Sequence, residues 1–70
     1  MNPEQVTGDY LASLAAIHNW QLLKRTEQFW VFVHPDRPGL VVTIPRTIYP
    51  LVPETRLGLM AVLGLVDADL

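Results

Sequence analysis

The stretch KRTEQFWVFVHPDRPG, Lys24 to Gly39, decides the fold. Phe29, Trp30, Val31, Phe32 and Val33 stand in succession, all aromatic or β-branched types that suit a pleated, packed surface. The run stops at His34, before Pro35. Alternation along a strand sends Phe29, Val31 and Val33 to one side and Trp30, Phe32 and His34 to the other. Both sides are then apolar. One feeds the core; the other meets solvent or a partner.

Working outward, Thr26, Glu27 and Gln28 read as a turn, and Trp20 to Arg25 as a short first strand. On the other side, Pro35, Asp36, Arg37, Pro38 and Gly39 close the central strand, because proline and glycine punctuate there. Leu40 to Ile44 reads as a third strand, ended by Pro45, which removes a donor and restricts its predecessor. Thr47 to Val52 reads as irregular.

A helix is expected at each end. Asn2 with Pro3 and Gln5 offers one start; Thr7 offers a later one that keeps Gly8 out of the interior. Tyr10, Leu11, Leu14 and Ile17, with Ala15, then share one face, and the helix ends near His18 and Asn19. The second helix opens at Pro53, with Glu54 favourable to its dipole. Leu57, Met60, Ala61 and Gly64 mark one face, while Leu59, Val62, Leu63 and Leu65 fill the others, the pattern of a helix buried on more than one side. Ala68, Asp69 and Leu70 are expected to fray. The order α-β-β-β-α gives an α+β domain over residues 1–70: a three-stranded antiparallel sheet with two helices packed on one face.

Seventy residues make a small core, so help from a partner is expected. Half the residues are hydrophobic, more than so small an interior hides, and exposed apolar patches point to contact with another protein. The absence of cysteine excludes disulfides and thiolate metal sites. A net charge of −2 is the wrong sign for a strong nucleic-acid field, although Lys24, Arg25, Arg37 and Arg46 lie together in the middle of the chain. No apolar run reaches the roughly 20 residues that span a bilayer. MNPEQVTGDY has neither the basic start nor the apolar stretch of a signal peptide, so a cytoplasmic location is expected and no membrane partner.

Few residues offer chemistry. His34 is the weak catalytic candidate, against a structural role at a strand end; His18 is expected to face solvent or the dipole of its helix. Glu27, Asp36 and His34 lack ligand spacing, so no metal is expected. No cofactor is expected either: there is no phosphate-cradling glycine loop, nucleophile triad or paired-carboxylate spacing. Lys24, Arg25 and Arg46 are either an RNA-facing edge that positions phosphates or ordinary solubilising charges. Trp30 and Phe32 read as core or protein interface before base-stacking platforms, since such platforms work beside basic grooves. Tyr49, Leu59 and Leu63, with Val62, are further interface candidates. Arg37 is expected to be solvated, and Arg56 to lie beside Glu27 or Asp67.

NWQLLKR (19–25), WVFVHPDRPG (30–39), VVTIPR (41–46) and LVPETRLGLMAVLGL (51–65), in this order and spacing, resemble the HicA toxins, small ribonucleases of toxin–antitoxin pairs. The resemblance covers roughly residues 8–66. It implies a double-stranded-RNA-binding-like fold, cleavage of messenger RNA by the histidine of a Gly-Ser-His turn, and an antitoxin covering that site. Here Glu27, Gln28 and Phe29 occupy the Gly-Ser-His positions, so Phe29 stands where the catalytic histidine belongs and cannot move a proton. Thr47 replaces a second common histidine, and Glu54 a glycine. Three readings follow: a HicA-like domain without ribonuclease activity that acts through protein contact, as a homodimer or with an antitoxin-like partner; a messenger-RNA endoribonuclease toxin that uses His34; and RNA binding without cleavage.

Overall fold

Both candidate starts at the N-terminus are used. In a computed structural model that describes residues 1–70, Asn2 caps a single 3₁₀ turn, Pro3–Gln5, and Thr7 caps the first α-helix, α1, Gly8–Ile17. The Asn2 side chain accepts from the Glu4 N–H at 3.0 Å, and the Thr7 hydroxyl from the Tyr10 N–H at 3.0 Å. Each cap satisfies a backbone donor that helix geometry leaves orphaned. α1 ends at His18, and Asn19 turns the chain in the left-handed region, φ 71°.

Three strands follow: β1, Gln21–Arg25; β2, Phe29–Val33; and β3, Val41–Pro45. They form one antiparallel sheet in the order β1-β2-β3. The second helix, α2, spans Pro53–Leu63 and ends at Gly64, whose φ of 75° makes it the left-handed cap. The architecture is α+β, with both helices on one side of the sheet. No helix is long and apolar enough to cross a membrane.

Register assigns the faces. Leu22 pairs with Phe32 and Phe32 with Val42; Trp30 pairs with Ile44. Phe32, Val42 and Ile44 point into the core and meet Leu11, Leu14 and Ala15 of α1 and Met60 and Leu63 of α2. Trp30 packs at the margin of this cluster. The other side of the sheet carries Phe29, Val31, Val33, Val41 and Thr43, and no helix covers it.

The elements differ from the sequence-based expectation at six points. Trp20 precedes β1 as a core residue, and Pro45 is the last residue of β3 where the chain was expected to have left the strand. Ile17, expected on the buried face of α1, is 72% exposed; Ala12 is buried instead. The inner face of α2 is Arg56, Met60 and Leu63, with exposed Leu57 turned away from it and Gly64 outside the helix as its cap, where Leu57, Met60, Ala61 and Gly64 were expected to share a face. Arg56 meets neither Glu27 nor Asp67: its Nη1 donates to the Pro3 carbonyl at 2.8 Å, pinning the N-terminal turn to α2. The C-terminus does not fray. Asp67–Asp69 form a 3₁₀ turn, and the Leu70 carbonyl accepts from the Tyr10 hydroxyl at 2.7 Å.

α1 is placed by its first residue. The Gly8 N–H donates to the Thr47 hydroxyl at 2.9 Å, and the Asp9 N–H to the Thr47 carbonyl at 3.2 Å. A Cβ on Gly8 would lie 1.7 Å from the Pro45 carbonyl oxygen. By contrast, a Cβ on Gly58 in α2 meets nothing within 4 Å. Gly8→Ala is therefore expected to cost at least about 2 kcal/mol, as backbone is forced apart. Gly58→Ala is expected to stabilise by up to about 1 kcal/mol through helix propensity. Urea unfolding of the two variants beside the wild type checks both signs.

Candidate interaction surface

The sheet surface that the helices leave uncovered is built by strand alternation alone. Phe29, Val31 and Val33 project from β2; Val41, Thr43 and Pro45 stand beside them on β3; Gln21 and Lys24 stand on β1. Val31, at the centre, is only 5% exposed although no helix lies over it, because its strand and cross-strand neighbours enclose it. Phe29 is 38% and Val41 54% exposed. Lys24, opposite Val31, is the one charged side chain within this surface. The result is an apolar strip with a polar margin.

At the β1–β2 turn the polar groups are already engaged with one another. The Trp30 indole N–H donates to Asp9 Oδ1 at 2.9 Å. The Arg46 guanidinium lies 4.9 Å from the Trp30 ring centroid and donates through Nη1 to the Thr26 carbonyl. Arg25 is opposite Trp30 in register, on the helix side, while Lys24 is on the open side. The irregularity between Leu22 and Lys24 shifts the register there. The three basic residues Lys24, Arg25 and Arg46 thus do not converge on one groove.

The opposite end of the sheet holds a polar cleft of about 280 Å³, lined by His18, Trp20, His34, Asp36, Arg37, Leu63 and Gly64. The C-terminal ends of α1 and α2 meet there. The Trp20 indole N–H donates to the Leu63 carbonyl at 3.2 Å, and Arg37 Nη1 to the Val62 carbonyl at 3.0 Å. Both satisfy carbonyls that the end of α2 leaves without helical donors, and Arg37 adds a cation where the helix dipole is negative. His34 lies edge-on to Trp20, ring centroids 5.0 Å apart. Its Nδ1 accepts from the Asp36 N–H at 3.1 Å, so the proton of the neutral ring sits on Nε2. No three metal-ligating side chains converge in the cleft or elsewhere.

Phe29 and His34 are five residues apart on an extended strand, roughly 17 Å. His34 therefore does not reach the Phe29 position, and the basic residues near the turn lie at the far end of the sheet from it. Thr47 holds the start of α1. Among the interface candidates, Tyr49 is 74% exposed, whereas Phe32 and Leu63 are core residues, Leu59 packs against the core and Trp30 is half-buried. Of the two readings open for Phe32 and Leu63, core and contact surface, the structure shows the core. Val41 was missed, since only the β2–β3 register places it beside Val31 and Val33. The Trp20–Leu63 bond had a legible signal, because a buried indole N–H requires an acceptor.

Neither a protein-family model nor a curated protein matches this chain.

The buried Trp20 bond and the exposed Arg37 bond act on the same helix end with different weight. Trp20→Phe leaves a buried carbonyl unpaired and is expected to cost about 1–3 kcal/mol. Arg37→Ala exposes its carbonyl to water and is expected to cost less than about 1 kcal/mol. Chemical denaturation of both variants, with unchanged denaturant slope, checks the order.

Proposed function

We propose that this chain is a HicA-like domain that works by protein–protein contact, in the cytoplasm, and does not cleave RNA. The observation that carries the reading is the uncovered side of the sheet, where Phe29, Val33 and Val41 form an apolar strip around the enclosed Val31. Burying that strip against a protein removes apolar surface from water, at about 25 cal/mol per Å². Phe29, at the family's catalytic position, belongs to this strip and adds hydrophobic area where a histidine would supply acid–base chemistry.

Two further features support the reading. His34 is held by the Asp36 N–H and packed on Trp20, at the other end of β2 from Lys24, Arg25 and Arg46. Arg46 is engaged by Trp30 and Thr26, which leaves a weak and scattered positive field for a phosphate backbone. An antitoxin-like protein or a second copy of the chain fits the surface better than a nucleic acid.

The test has two arms. Purified wild-type protein is incubated with messenger RNA, and no cleavage is expected. A photo-crosslinking side chain at Phe29 or at Val33 is expected to give a discrete protein adduct in the cells that make the chain, and the same group at exposed Glu54 none. RNA cleavage by the wild type, lost in His34→Ala, would return the toxin reading. The absence of an adduct at both strand positions would remove the contact reading.

A further inference from the structure

The two edges of the sheet are protected unequally. β1, QLLKR, carries Lys24 and Arg25 and a register irregularity at its centre. Charges and bulges of this kind discourage a second strand from pairing. β3, VVTIP, holds no ionisable residue, and its ladder to β2 runs without a break from Val41 to Pro45. An uncharged, regular, β-branched edge is a template for strand addition.

The hydrogen-bond phase shows which groups are free. The Arg46 N–H donates to the Gln28 carbonyl at 2.9 Å. Antiparallel alternation from that bond directs Ile44 and Val42 toward β2, and directs the N–H and C=O of Val41 and Thr43 outward. Pro45 has no N–H to offer, and Gly8 sits against its carbonyl. The unpartnered part of the edge is therefore Val41 to Thr43.

We infer that this edge pairs with β3 of a second copy of the chain, antiparallel about a two-fold axis at Val42, to form a continuous six-stranded sheet. In that register Val41 lies opposite Thr43 of the other copy, and Thr43 opposite its Val41. All four outward groups of each copy find partners, and the Pro45–Gly8 contact is left outside the paired segment. No charge opposes another, since β3 has none. Val41, 54% exposed, and exposed Thr43 then form β-branched cross-strand pairs on the open side. α2 packs chiefly on β3. The pairing joins the two apolar strips into one surface of twice the length. The inference rests on the reading of this side of the sheet as a protein-contact surface, and it names one partner.

The test is solution mass by light scattering across micromolar concentrations. The wild type is expected at twice the 7.9 kDa of one chain. Thr43→Pro removes an outward donor and no bond of the β2–β3 ladder, so the fold is kept. Val41→Lys places a charge beside the apposed strand. Each is expected to weaken dimerisation at least tenfold, with circular dichroism and the thermal midpoint at low concentration unchanged. Leu23→Lys, on the other edge, is expected to leave the mass as in the wild type. A monomeric wild type, or a dimer that survives both Thr43→Pro and Val41→Lys, overturns the pairing. A monomeric wild type that still gives the Phe29 adduct overturns the β3 pairing alone and leaves the contact reading standing.

Discussion

Gly8 meets the Pro45 carbonyl with no room for a side chain, and the rest of the arrangement depends on that approach. It fixes the start of α1 against the end of β3, where Thr47 receives two of its backbone neighbours. From there α1 runs across the sheet to β1, and α2 takes the remaining space over β3. Both helices are thereby committed to one side. None of the elements formed by residues 1–70 covers the other side.

The consequence for function is a division of labour by distance. The apolar strip through Val31 occupies the open side, the engaged Trp30–Arg46 pair lies at the hairpin end, and the imidazoles lie at the other end with the helix termini. Acid–base chemistry on RNA needs a proton-transfer group within hydrogen-bond reach of the reacting atoms, together with cations that hold the phosphate. Here Lys24, Arg25 and Arg46 are separated from His34 by the length of β2, and Arg37, the cation that shares the cleft with the imidazoles, is bonded to the Val62 carbonyl. Hydrophobic burial needs no such convergence, only contiguous area, and the open side supplies it.

Much of this was legible before any coordinates. Two-sided apolar alternation in Phe29–Val33 gave the central strand and an apolar set for each of its sides, because side-chain period alone fixes which residues share a side; which side the helices cover follows only from the fold, and the interface candidates Trp30 and Phe32 lie on the covered one. Proline and capping signals located both helices to within a residue or two. What escaped was set by contacts distant in sequence. Ile17 has the right spacing for a buried position, yet α1 has already passed the core there, so Ala12 is buried in its place. Gly64 reads as a helix position until the chain is seen to turn there, and Arg56 faces inward because its guanidinium finds the Pro3 carbonyl, a partner 53 residues away. Val41 became part of the open surface only through its register with Val33. The polar cleft joins residues from four separate segments, and no local pattern announces it.

The most direct measurement is amide hydrogen exchange, residue by residue, over a dilution series. Val42 and Ile44 bond to β2 and are expected to stay protected throughout. The outward amides of Val41 and Thr43 are expected to be protected at high concentration and to exchange rapidly on dilution, as a second strand leaves. Rapid exchange of Val41 and Thr43 at every concentration, beside steady protection of Val42 and Ile44, would contradict a paired edge.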